Sequence, residues 1–253
     1  MSNKLKDANV SFIIPFLIVV AWFYATTINN MSGAILPKIS DVFTAFRNLT
    51  QKGQLQQDII ASLIRVVQGY AIASVLGISL GALAGMIPFI RKLILPAATA
   101  IRQVPIIAWI PLIILWCGIG ELSKVVVIVI AATFPIMINT MSGVSSTSDL
   151  LLEVASLYKL GKWETFLKVY LPNALPSILV GLKLGMGASW MAVVAAEMLG
   201  ASSGIGYRLN DARSMLKSDQ VILCIILIGF IGIGTDWLLS KFFKKITPWE
   251  NSK

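Results

Sequence analysis

Six stretches of the chain are too long, too apolar and too poor in charge to serve as core elements of a water-soluble domain: residues 10–28, 59–87, 93–119, 125–144, 174–199 and 221–240. A helix needs about 20 such residues to cross the hydrocarbon of a bilayer, where every backbone N–H and C=O must be satisfied internally. The expected fold is therefore all-α and membrane-integral. Composition agrees: 57% of residues are hydrophobic and 13% charged, against about a quarter charged in soluble domains. The net charge of +9 arises from short basic clusters beside the apolar runs, which suits headgroup anchoring and not a nucleic-acid face.

The runs are not uniform. Residues 10–28 follow Lys4 and Lys6 like a signal sequence, yet they lack a clear cleavage pattern and read as a retained first span. The polar segment 29–58 contains Val42, Phe43, Phe46 and Leu49 at amphipathic spacing, predicting a helix on the outer surface. In the second run Gly69, Ala73, Gly77, Gly81 and Gly85 recur every fourth residue, a stripe that lets a neighbouring helix approach closely. Pro96, Pro105 and Pro111 predict that the third run is kinked. Residues 118–124 read as a tight outer loop, and residues 200–220 as a polar external segment.

Six spans place both ends on one side. With the ends in the cytoplasm, 11 basic residues fall in inner segments and seven in outer ones, the sense the positive-inside rule requires. The cytoplasmic segment that stands out is 149–172. Leu151, Val154, Ala155 and Tyr158 predict one short amphipathic helix, and Trp163, Phe166, Leu167, Tyr170 and Leu171 a second, with the break at Gly161 and the end at Pro172. Such a pair suits either an interfacial connector or a docking element for a cytoplasmic partner.

Chemistry is sparse. No phosphate-binding G-x-x-x-x-G-K-[ST] occurs, no serine elbow, and no histidine at all. Cys117 and Cys224 give neither a disulfide framework nor a metal spacing. Neither an enzyme nor a chain that binds ATP in the P-loop manner is expected, and neither a cofactor nor a metal. Arg65, Arg102, Lys183 and Glu197 lie within apolar runs and are candidates for a translocation pathway, with snorkelling and helix-end roles as the alternative. A self-sufficient ion-coupled carrier would lean on Glu197; an externally powered pore would instead need the 149–172 loop.

Glu153-Val154-Ala155 followed by Val169-Tyr170-Leu171-Pro172 resembles the EAA loop of ABC importer permeases. Ile35-Leu36-Pro37, residues 62–66 with Gly69-Tyr70, residues 115–124, residues 196–207 and Asp211-Ala212-Arg213 extend the resemblance over nearly the whole chain, to the nitrate, sulfonate and taurine class. Val154 departs from the small residue of the loop pattern, and Lys159 stands where the family usually has glycine, two residues before Gly161. The resemblance implies a single permease domain over residues 1–253 with a type I, MetI-like fold of six helices in a bacterial inner membrane. It also implies a homodimer, cytoplasmic ATPase subunits, an extracytoplasmic solute-binding protein, and a small anion as solute. On that reading Glu153, Ala155, Tyr158, Gly161, Lys162 and Trp163 belong to the ATPase contact, although an interfacial tryptophan would also suit position 163.

Overall fold

The computed structural model describes residues 13–28 and 31–246; residues 10–12 of the first expected span, and Lys4, Lys6 and Lys253 of the charge argument, lie outside them. Every element among the described residues is helical: α1 (Ile13–Phe23, continued by a π turn Tyr24–Ile28), α2 (Ile39–Gln51), α3 (Gln54–Met86), α4 (Pro88–Gln103), α5 (Ile106–Cys117), α6 (Glu121–Ser145), α7 (Asp149–Leu157), α8 (Lys162–Thr165, continued by a π turn Phe166–Tyr170), α9 (Leu171–Gly200), α10 (Ile205–Ser214) and α11 (Ser218–Ile246). Four helices are long and apolar enough to cross a membrane, and the bent pair α4 and α5 makes a possible fifth. The apolar helix Ile13–Ile28 is shorter, so the first expected span is described only over that length.

Helix α6 is the axis of the bundle. The glycine ladder of α3 lies directly against it: a Cβ added at Gly69 would stand 2.6 Å from Ile128 Cβ, at Gly77 2.8 Å from Ile136 Cβ, and at Gly85 2.6 Å from Val144 Cβ. Residue numbers rise together along the two helices, so α3 and α6 run parallel. On the other side Gly181 and Gly185 of α9 press on Ile136, while Gly143 of α6 presses on Ser177, so α9 runs antiparallel to α6. Hydrocarbon gives no hydrophobic drive for helix association, and close approach over small residues supplies dispersion contacts in its place. Cross-bonds fix the register, from Tyr70 Oη to the Leu182 carbonyl at 3.0 Å and from Trp190 Nε1 to the Ile228 carbonyl at 3.0 Å.

Several boundaries differ from the sequence expectation for local reasons. Helix α3 begins at Gln54, after Gly53 with φ 70°, and draws Asp58 into the bundle. In α2 Val42 and Leu49 are buried together with Ala45, whereas Phe43 and Phe46 are exposed, because the helix packs one narrow stripe against Leu55 and Leu223. Residues 118–124 do not form one loop, since Gly118 ends α5 with φ 79° and α6 starts at Glu121. The kinked third run is a sharp elbow: α4 and α5 meet at 100°, where Pro105 offers no N–H and biases Val104 to extended backbone.

Candidate functional site

The loop 149–172 is two helical pieces joined by a tight turn, but the turn and the end differ from expectation. The left-handed residue is Lys159, with φ 53°, while Gly161 has an extended φ of −66°. Leu160 N–H donates to the Ala155 carbonyl at 3.1 Å and Lys159 N–H to the Ser156 carbonyl at 2.9 Å, the paired bonds of a Schellman cap. The break therefore falls at the position where the family pattern has glycine, with a lysine forced into it. Left-handed backbone costs an L-residue roughly 1 kcal/mol, so Lys159→Gly is expected to raise the thermal midpoint in detergent by about 2–4 °C. A fall in that midpoint would show that the lysine side chain stabilises the turn.

Pro172 does not end the second piece. The helix continues from Lys162 through to Gly200, because the wider π turn at Phe166–Tyr170 leads directly into α9, with Pro172 following it. The Gly161 N–H donates to Glu164 Oε2 at 3.2 Å and Lys168 Nζ to Glu164 Oε1 at 3.1 Å, closing the start of the piece. Asn173 Nδ2 donates to the Gly143 carbonyl at 3.2 Å and to Thr147 Oγ1 at 3.1 Å. These bonds tie the base of the loop to the last turns of α6.

The apolar face expected from Leu151, Val154, Ala155 and Tyr158 is divided. Ala155 is buried, whereas Leu157, Tyr158 and Trp163 are 80%, 77% and 69% exposed, with Leu150, Leu151 and Val154 also open. Glu153, Gly161 and Lys162 are exposed beside them. The Trp163 ring lies 5.6 Å from that of Phe166, which supports the indole from one side only.

At the opposite end of α9, two of the expected pathway residues meet each other. Arg65 Nη1 lies 2.7 Å from Glu197 Oε1, and the same guanidinium grips Glu121 through Nε at 2.6 Å and Nη2 at 2.8 Å. Lys124 joins Glu121 at 3.1 Å, and Arg208 joins Asp58 at 2.8 Å. Three cations thus face three carboxylates. Arg65, Glu197, Asp58 and Lys124 are all buried, the condition under which unpaired charge is most costly. The same residues start α10, which has no side-chain cap of its own. Its N-terminal N–H groups, those of Gly204, Ile205 and Gly206, donate to Asp58 Oδ1 at 2.9 Å, Ser62 Oγ at 3.0 Å and Glu197 Oε2 at 3.0 Å. Gly204, with φ 114°, leaves no room for a Cβ against the Glu197 carboxyl group. Asp58, Ser62, Glu121, Lys124 and Arg208 are absent from the sequence candidates, although residues 62–66, 115–124 and 196–207, which carry the family resemblance, hold Ser62, Glu121 and Lys124 together with Arg65 and Glu197.

The other two expected pathway residues sit elsewhere. Lys183 is half-exposed and lies 3.4 Å from Asp236 of α11. Arg102, in the last turn of α4, is exposed at the elbow. Among the described residues no group of His, Cys, Asp and Glu could hold a metal ion.

A glycine-packed bundle of long apolar helices, with a tied stub at one end and an ion-paired cluster at the other, defines a polytopic membrane component. Residues 73–248 match the family model of the binding-protein-dependent transport system inner membrane component. The chain belongs to that family. It is 38% identical to a putative ABC transporter permease protein of Methanocaldococcus jannaschii, over 97% of this chain and 93% of the relative. It is 38% identical to the putative aliphatic sulfonates transport permease protein SsuC of Escherichia coli, over 93% and 90%. It is also 35% identical to the nitrate import permease protein NrtB of Synechococcus elongatus, over 87% and 80%. The chain is therefore a multi-pass inner-membrane permease subunit of an ABC importer and not an enzyme, and the self-sufficient carrier is not favoured. Membership in a binding-protein-dependent family implies ATPase and solute-binding partners.

Proposed function

We propose that this chain forms, as a homodimer with both termini in the cytoplasm, the translocation path of an importer for small anions such as nitrate, sulfonates or taurine, and that residues 149–172 dock on the ATPase subunits. The anion class follows the names of the relatives, which include a sulfonate, a nitrate and a taurine permease. The docking role rests chiefly on one observation: Leu157, Tyr158 and Trp163 are exposed on a stub tied to α6 and continuous with α9. Exposed aromatic anchors ringed by charge are what a specific protein groove binds. In this reading Tyr158 and Trp163 fill the groove, Glu153 and Lys162 set its register, Gly161 opens the second piece, and Ala155 packs beneath the contact.

Glu153→Lys is expected to abolish uptake by the assembled importer while leaving membrane insertion intact, and Trp163→Ala to release the ATPase during purification. Both follow from one contact, so wild-type uptake and ATPase retention in the two variants would remove the docking role. Purified alone in liposomes, the chain should move no solute down a proton or sodium gradient; movement there would overturn the importer reading.

A further inference from the structure

A trough runs along α9 from its far end, opposite the docking stub, to its middle. One cleft of about 700 Å³ has apolar walls from α9 and α11, with Asn210 and Arg213 of α10 at its rim. A second, of about 230 Å³, lies in the elbow between α4 and α5, where Arg102 meets Trp109 and Phe134. The two share Met191, and the consecutive residues Ile106 and Ile107 line one each. A third cleft, of about 520 Å³, extends the first toward the ion cluster through Met198, Leu199 and Asn210. Leu199 to Ala188 spans about 17 Å at the rise of a helix, half the depth of a bilayer.

Charge in the first two clefts has one sign. Among the described residues, Arg213 and Arg102 are the only ionisable ones lining them, and no carboxylate does. Elsewhere in the bundle Arg65, Lys124 and Arg208 each hold a carboxylate within 3.1 Å. Arg213 instead meets the amide oxygen of Asn210 at 2.9 Å, and Arg102 forms no ion pair among the described residues. The indole N–H of Trp109, beside Arg102 in the elbow, is buried without an acceptor. Arg102 lies between apolar helices, where an arginine without a carboxylate is costly to keep; Arg213 is exposed on α10 at the mouth of the trough, and the planar guanidinium fork of each matches an oxyanion in two-point fashion.

We propose that this trough is the chain's share of the anion path, with Arg213 and Arg102 as successive binding positions for a small oxyanion and Met191 as the side chain between them. The proposal deepens the anion-importer reading and rests on it. Two weak positions in series let an ion enter and still leave. Met191, 76% exposed and unbranched, can swing aside as the ion passes, and the apolar walls accept the alkyl part of a sulfonate.

The test is thiol accessibility of Met191→Cys, with Ala195→Cys as a second reporter in the same trough, in the permease in nanodiscs; the wild-type chain supplies the background from Cys117 and Cys224. A negatively charged sulfonate-bearing methanethiosulfonate should outrun its trimethylammonium counterpart by roughly tenfold relative to their ratio on free cysteine. Arg213→Gln and Arg102→Gln should each lower that preference at least threefold, and nitrate should slow the anionic reagent. Labelling at both positions by a lipid-soluble maleimide alone would mean that the trough faces acyl chains, and an unchanged preference in both arginine variants would mean that it is not an anion path; either result overturns the proposal. Labelling needs neither ATPase nor transport, so an importer that carries a neutral solute would overturn the substrate reading and leave these outcomes separately readable.

Discussion

Glu197→Ala is expected to cost about 3–5 kcal/mol of stability and to leave little monodisperse protein after detergent extraction. The carboxylate accepts from Arg65, Ser62 and the Gly206 N–H at once. Its removal leaves Arg65 Nη1 facing a hole, with Glu121 and Ser203 as the remaining partners of the guanidinium, and takes one of the three acceptors from the start of α10. Glu197→Gln should lie between, because it keeps a carbonyl oxygen but turns an NH₂ toward donors. Arg65→Met combined with Glu197→Ala should cost less than the sum of the single changes, since both break the same 2.7 Å ion pair. Size-exclusion profiles and thermal midpoints of the four proteins provide the check. A wild-type midpoint in Glu197→Ala would mean that the cluster is held open to water.

Gly77→Leu should be as damaging by a different route. A Cβ there would lie 2.8 Å from Ile136 Cβ and 3.0 Å from the Thr133 carbonyl oxygen, so α3 and α6 must separate along their length before the side chain fits. Separation also loosens the neighbouring contacts at Gly69, Gly81 and Gly85. The expected result is loss of the folded fraction on extraction. The control is Gly187→Ala on α9, where nothing lies within 4 Å of the added carbon and no loss is expected. Equal yields for Gly77→Leu and Gly187→Ala would mean that the ladder does not carry the packing.

The bundle was legible because its signals are periodic. A small residue every four positions names a contact face without naming the partner, and α6 proved to be that partner. The elbow was readable from Pro105. What escaped was set by distance along the chain: Arg65 and Glu197 are 132 residues apart, and no local pattern distinguishes two charges that meet from two that line a path. Asp58 was hidden because Gln54, Gln56 and Gln57 make the first turns of α3 look like a polar loop. Lys159 shows residue preference overruled, as two Schellman bonds impose on a lysine the backbone a glycine takes freely. In the loop 149–172 the spacing found helices but not the exposure of Leu157, Tyr158 and Trp163, because an exposed apolar stripe and a core-facing one have the same period.

The continuous run from Lys162 to Gly200 is 39 residues, about 58 Å at the rise of a helix, with the π turn Phe166–Tyr170 and Pro176 both in its first half. Trp163 stands at one tip and Glu197 near the other, with Met191 two turns short of that far end. Tilted as one piece by about 5° at the stub, such a helix would swing its opposite tip by about 5 Å. On the proposed docking, a small wedge at the exposed end would thereby become a displacement of about 4 Å at the level of Met191.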